Sequence, residues 1–148
     1  MKIKITQISL LLLFTMIFAS CNQDLTLRQE RRIIGDWEFD KVREFDRNDV
    51  FNGNNITDAY EAVLLTFYED KTMEYKDNNG QVFIGEWDLK IDFSGDDSEF
   101  ELIAFLLDND TNEMKTIVWD AVYFFNNKMN ATETFDNGER IEYRLKKW

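Results

Sequence analysis

From Gly35 onward the hydrophobicity of this chain repeats every second residue, a period that suits a β-strand with one wet face and one dry face. Phe83, Trp87, Leu89, Ile91 and Phe93 alternate with Glu86, Asp88, Lys90 and Asp92, and Ile141, Tyr143 and Leu145 with Arg140, Glu142, Arg144 and Lys146. Turn formers punctuate the runs: Asp77-Asn78-Asn79-Gly80, Ser94-Gly95-Asp96-Asp97, Asn126-Asn127 and Asp136-Asn137-Gly138. Glycine and asparagine tolerate the positive φ that tight hairpin turns require. The pattern predicts eight strands, near 36–46, 62–68, 72–77, 81–93, 99–107, 114–125, 128–135 and 139–147. The longest connection is the polar, acidic stretch 47–60.

Consecutive antiparallel strands joined by short turns favour an up-and-down meander. Closing it removes the exposed strand edges that would otherwise recruit other chains. The expectation is therefore all-β: an antiparallel eight-stranded barrel, preceded by a short helical turn where Thr26 and Gln29 have capping-box spacing. The chain has no proline and no repeat at a solenoid period, so no internal boundary is expected between 35 and 148. Strands 99–107 and 114–125 break the alternation, with Phe100 to Leu106 and Ile117 to Tyr123 apolar on both faces. They are expected either to lie under another element or to form an adhesive patch.

Ahead of the barrel, Ile8 to Phe18 form an apolar run broken only by Ser9 and Thr15, after the basic start Met1-Lys2-Ile3-Lys4. A membrane-spanning helix needs about 20 predominantly apolar residues, and this run stops short of that at Asn22-Gln23-Asp24. It reads as a secretory signal. The run closes on Ile17-Phe18-Ala19-Ser20-Cys21, which resembles the lipobox of bacterial lipoproteins. The resemblance implies a signal peptide at 1–20, palmitate or a similar acyl chain on Cys21, a linker through residue 34, and a membrane partner reached through that anchor. Two or more acyl chains hold stably where one binds marginally. The alternative is a signal cut near Ala19 or Ser20 that leaves Cys21 a free thiol or an intermolecular disulfide partner.

Removing residues 1–20 takes away two lysines and no acid, so 15 basic residues face 29 acidic ones, a formal charge of −14. Nucleic acid should be repelled. An acid-rich solvated surface is the plain explanation of the charge.

The first barrel strand opens Ile34-Gly35-Asp36-Trp37-Glu38-Phe39, and this GxW after a short helical turn resembles the lipocalin signature. Similar segments open lipocalin-like domains in small bacterial lipoproteins. Leu65-Thr66-Phe67-Tyr68-Glu69-Asp70-Lys71-Thr72-Met73-Glu74-Tyr75 and a second GxW, Gly85-Glu86-Trp87, extend the resemblance over the mature chain. It implies that Gly35 and Gly85 allow close approach of another segment, that Trp37 and Trp87 turn into the barrel, and that an arginine near the end of the barrel covers the floor tryptophan. Arg144 or Arg140 is the candidate for that cation.

Histidine is absent from the chain, which removes Ser-His and Cys-His nucleophile pairs and the commonest zinc ligand. Asp108 to Glu113 begins like a calcium loop, but Glu113 stands where the sharp-turn glycine belongs and Trp119 where the bidentate glutamate belongs. A hairpin turn is the expectation there. No catalytic residues, metal ligands or cofactor are assigned, and the chain reads as a non-enzyme. An eight-stranded barrel is just wide enough to be filled by its side chains or to hold one small ligand. The resemblance implies a small hydrophobic ligand, with Phe39, Leu65, Phe67, Tyr75 and Phe83 as lining candidates and an entrance beside the loop 47–60. A solid barrel presenting its surface to a protein or glycan partner is the alternative. The bacterial cell envelope, with the outer membrane favoured, is the address these features imply.

Overall fold

A computed structural model describes residues 25–47, 51–92 and 99–148. Residues 25–33 form a helix, α1. The strands follow as β1 (Gly35–Phe45), β2 (Asn54–Asn55), β3 (Leu64–Phe67), β4 (Thr72–Lys76), β5 (Val82–Asp92), β6 (Glu99–Leu107), β7 (Met114–Phe125), β8 (Lys128–Thr134) and β9 (Arg140–Lys147). A 3-10 turn, Thr57–Tyr60, lies between β2 and β3. From β3 to β9 each strand pairs antiparallel with its successor, and β1 pairs with both β3 and β9. The result is a closed, antiparallel, up-and-down barrel of eight strands with a helix at its N-terminal side, as the alternation of the sequence demands.

The two-residue β2 is an addition that alternation could not reveal. β3 pairs with β1 only along Gly35 to Glu38, which leaves the far half of that β1 edge open. Residues 54–57 return to cover it. Asn54 and Asn55 pair with Glu44 and Arg43, the Ile56 N–H donates to the Val42 carbonyl, and the Val42 N–H donates to Thr57 Oγ1 at 2.9 Å. The long connection is therefore a device for satisfying backbone groups.

The interior is the dry face of the pattern. Trp37, Leu65, Phe67, Met73, Trp87 and Leu89 are all buried, together with Leu102, Val122, Met129 and Leu145. Two bulges interrupt the register, at Asp40 in the β1–β9 pairing and between Phe100 and Leu102 in the β6–β7 pairing. Where a bulge inserts a residue, the inward parity switches. On β7 the buried set passes from Ile117 and Trp119 to Val122, which accounts for part of that strand's unbroken apolar run. The remainder is an outward patch on β5, β6 and β7. Ile84, Leu107 and Met114 align in register across the three strands, and Phe105 beside them is 67% exposed. The adhesive patch, rather than a covering element, is what the described residues show. None of their helices is long and apolar enough to cross a membrane.

Candidate functional site: the barrel mouth

The two ends of the barrel differ. At the floor, α1 runs under the strands and its last residue, Ile33, is fully buried in the core. The Trp37 Nε1–H donates to the Ile33 carbonyl at 2.6 Å, so the tryptophan of the first GxW caps the helix that closes the barrel. Gly35 has φ +121°, in the region that favours glycine, and a side chain there would meet the Lys147 stem at 2.8 Å. Space at Gly35 thus admits Lys147, whose Nζ lies 5.4 Å from the Trp37 ring centre and donates to the Arg32 carbonyl at 3.2 Å. Desolvation pushes the Lys147 ammonium below the usual lysine range.

This corrects the expectation for the covering cation. Arg144 instead donates to Asp40 on the outer wall at 2.6 Å, and Arg140 stacks on Phe45 at 4.2 Å. The signal for Lys147 was its parity, since it follows Tyr143 and Leu145 on the dry face of β9 while Arg140 and Arg144 belong to the wet one.

The second GxW repeats the device. An added Cβ on Gly85 would sit 1.8 Å from the Phe105 carbonyl oxygen, so β5 and β6 approach as closely as they do only because that side chain is missing. Trp87 stands edge-on to Phe67 at 5.6 Å, with Lys71 Nζ 4.2 Å above its ring and 2.5 Å from Glu30 of α1. Its Nε1–H is buried with no hydrogen-bond partner among the described residues.

At the opposite end the interior opens into a cavity of about 220 Å³, lined by Phe39, Tyr60, Tyr75, Ile117, Trp119 and Tyr143 among others. Four of these rings form one cluster: Phe39 to Tyr60 at 4.9 Å, Phe39 to Tyr143 at 5.6 Å, Tyr60 to Tyr143 at 5.9 Å and Trp119 to Tyr143 at 5.4 Å. Two charged groups also line the space, Glu133 and Lys115. The Tyr143 hydroxyl donates to Glu133 at 2.7 Å and is hydrogen-bonded to Tyr60. Lys115 Nζ lies 4.5 Å from the Tyr75 ring centre and forms no ion pair among the described residues. Burial pushes the tyrosines up: Tyr75 to about 12, Tyr60 above its ordinary range, and Tyr143 strongly, because on top of desolvation Glu133 accepts a hydrogen bond from the neutral hydroxyl and repels a phenolate. The mouth therefore presents neutral phenols, one carboxylate and one ammonium around an aromatic hollow.

Of the lining candidates, Phe39 and Tyr75 reach the cavity. Leu65 and Phe67 are packed into the filled lower barrel, and Phe83 lies behind Tyr75, edge-on at 5.9 Å. Sequence reasoning missed Tyr60, Ile117, Trp119, Tyr143, Glu133 and Lys115 as lining residues. For the two charges a signal existed. Lys115 shares the inward parity of Ile117 and Trp119, and Glu133 that of Met129 and Ala131, so each is a charge written on the dry face at the end of a strand.

The loop that begins like a calcium site folds as a turn. Asp108 Oδ1 accepts the N–H groups of Asp110 and Thr111 at 2.6 and 3.0 Å, and these bonds hold its carboxyl below the usual range. Its Oδ1 is thereby committed to the backbone. Cys21 and the rest of residues 1–24 lie outside the described residues. No protein-family model, curated protein or solved structure matches this chain.

Proposed function

We propose that this chain is a lipocalin-like lipoprotein of the bacterial cell envelope, tethered through Cys21, that holds a small, mainly apolar ligand at the open end of its barrel without catalysing a reaction. The observation that carries the reading is the mouth cavity of about 220 Å³, walled by aromatic rings and furnished with Glu133, Tyr143 and Lys115. A dry cavity of about 150 Å³ is enough to take up benzene, whereas drug-sized ligands need roughly 300 Å³ or more. The fit is to a single ring or short branched chain bearing one hydrogen-bonding group. The filled lower barrel excludes long acyl chains.

The test is a thermal-shift series with indole, benzyl alcohol and decanoate on the full-length protein. The reading expects saturable stabilisation by the first two, weak response to decanoate, and loss of all stabilisation when Ile117→Trp fills the cavity. Equal stabilisation of that variant and the parent would contradict it. For the tether, radiolabelled palmitate is expected to attach to the parent and not to Cys21→Ser. An unlabelled parent would remove the anchor and leave the mouth reading standing.

A second reading, a surface that docks another protein, draws on the outward patch of Ile84, Phe105, Leu107 and Met114. Exposed apolar clusters of this kind mark interaction sites. Crosslinking from Met114 in cells separates the two: a single specific neighbour favours docking, and an even spread of abundant proteins favours the mouth.

A further inference from the structure

On the outer wall, the outward faces of the three strands β8, β9 and β1 carry a cation-rich surface with two concavities. In register, Lys128 stands beside Lys146, Asn130 beside Arg144, and Arg144 beside Lys41. These side chains face outward because Tyr143 and Leu145, between them on β9, are buried. One concavity of about 340 Å³ is lined by Lys41, Arg43, Asn130, Thr132, Glu142 and Arg144. A second, of about 650 Å³, shares Asn130 and Arg144 and runs on to Lys128, Lys146 and the ring of Phe125. The shared pair makes them one groove along the barrel wall.

Most cations of the groove are neutralised by their neighbours. Arg144 donates to Asp40 at 2.6 Å, Lys128 lies 3.9 Å from the same carboxylate, and Lys146 pairs with Glu38. Lys41 and Arg43 differ. Among the described residues neither has an ion pair or an aromatic ring beneath it, although both are only partly exposed and lie two apart on one strand face. Two like charges held together in a hollow repel each other, and an incoming anion would remove that cost. Asn130 and Thr132 beside them offer side-chain hydrogen-bonding groups that no described residue uses.

We propose that this groove binds an acidic oligosaccharide. Arg43 presents a planar fork to a sugar carboxylate and Lys41 a second cation, while Asn130 and Thr132 meet hydroxyl groups. Phe125, 70% exposed at the far end, offers a flat apolar face to a sugar ring. The charge balance selects the class of anion. Lys41, Arg43, Lys128, Arg144 and Lys146 exceed Glu38, Asp40 and Glu142 by only two on this wall, and the whole chain stands at −12. A short uronate oligosaccharide, with one carboxylate per sugar ring and so only a few within the groove, matches that small local excess. A nucleic acid, carrying a charge every ~1.7 Å of duplex, would meet repulsion everywhere else. The groove lies outside the barrel, so this proposal does not depend on the mouth.

The test is calorimetric titration of the full-length protein, in non-ionic detergent, with oligogalacturonate, with neutral dextran and with a single-stranded oligonucleotide. Saturable binding of oligogalacturonate alone, weakening as salt is raised, supports the proposal. Lys41→Gln with Arg43→Gln is expected to weaken it about tenfold or more, whereas Glu142→Gln, which removes an opposing charge from the same hollow, is expected to tighten it. Absence of saturable binding, unchanged affinity in the double variant, or tighter binding of the oligonucleotide would each overturn it.

Discussion

The floor and the mouth of this barrel use the same chemistry, aromatic rings with a lysine over them, to opposite ends. At the floor Lys147 over Trp37 and Lys71 over Trp87 are both tied down, one to the Arg32 carbonyl and the other to Glu30. Both bonds lead to α1, so each cation fastens the helix across the opening. At the mouth Lys115 covers Tyr75 with no ion pair among the described residues, and the rings of Phe39, Tyr60, Trp119 and Tyr143 enclose a hollow of about 220 Å³. The difference lies in what crosses the end. A helix supplies carbonyls and carboxylates that finish the floor, whereas at the mouth the described residues place a 3-10 turn, Thr57–Tyr60, which contributes one ring and leaves space.

If the floor is the structural end, its substitutions should act on stability, and the largest effect belongs to Trp37→Ala. Removing a fully buried ring is expected to destabilise the protein by about 3–5 kcal/mol, read as a shift in the urea midpoint at constant slope. Parental stability would show that the floor is not what holds the barrel closed.

At the mouth the expected effects are smaller. Tyr143→Phe withdraws the donor from Glu133 and a partner from Tyr60, which should cost about 1–3 kcal/mol. Hydrogen exchange should quicken in β8, β9 and Thr57–Tyr60 while the β1 amides near Trp37 stay protected. Equal loosening at both ends would erase the distinction drawn between them.

Alkali sharpens the same contrast. The buried phenols stay neutral in the folded protein beyond the point at which they ionise in the unfolded chain. The stability they contribute is therefore complete below pH 10.0 and falls as pH rises towards about 12, where Tyr75 titrates. Near-ultraviolet absorbance should record this delayed ionisation before the floor tryptophans report unfolding. Simultaneous changes would mean that the mouth has no titration of its own.

The smallest effect separates the two floor tryptophans. Both changes shrink a buried ring, but Trp87→Phe removes an N–H with no partner among the described residues, whereas Trp37→Phe also breaks a 2.6 Å bond to the helix and should cost more. Matched denaturation curves for the two would dissolve that difference.

Much of this architecture was legible because strands with one buried face must alternate. Predicted and observed strands agree within two residues at nearly every end, since turns such as Asp77 to Gly80 need residues that tolerate unusual backbone angles. The site was less legible. Phe39 and Tyr75 were identifiable as inward aromatics, but which inward residues border space and which are packed solid depends on how far each lies from the floor, a property of register across strands distant in sequence. Tyr60 reaches the cavity from a loop with no periodicity at all. Lys115, Glu133 and Lys147 were legible in principle as charges on the dry face near strand ends, where a long side chain can keep its head near water while its stem is buried.

The most direct test of a structural floor and a receptive mouth is titration of tryptophan fluorescence with nitrobenzene, a one-ring quencher. Trp119 lines the cavity and is only 2% exposed, so random collisions should scarcely reach it. In a Trp148→Phe background, which removes the one tryptophan that is 78% exposed among the described residues, saturable quenching that disappears on adding Trp119→Phe and persists on adding Trp87→Phe is the predicted result. In that background, quenching that rises linearly without saturation, or saturable quenching that survives Trp119→Phe, would contradict the account.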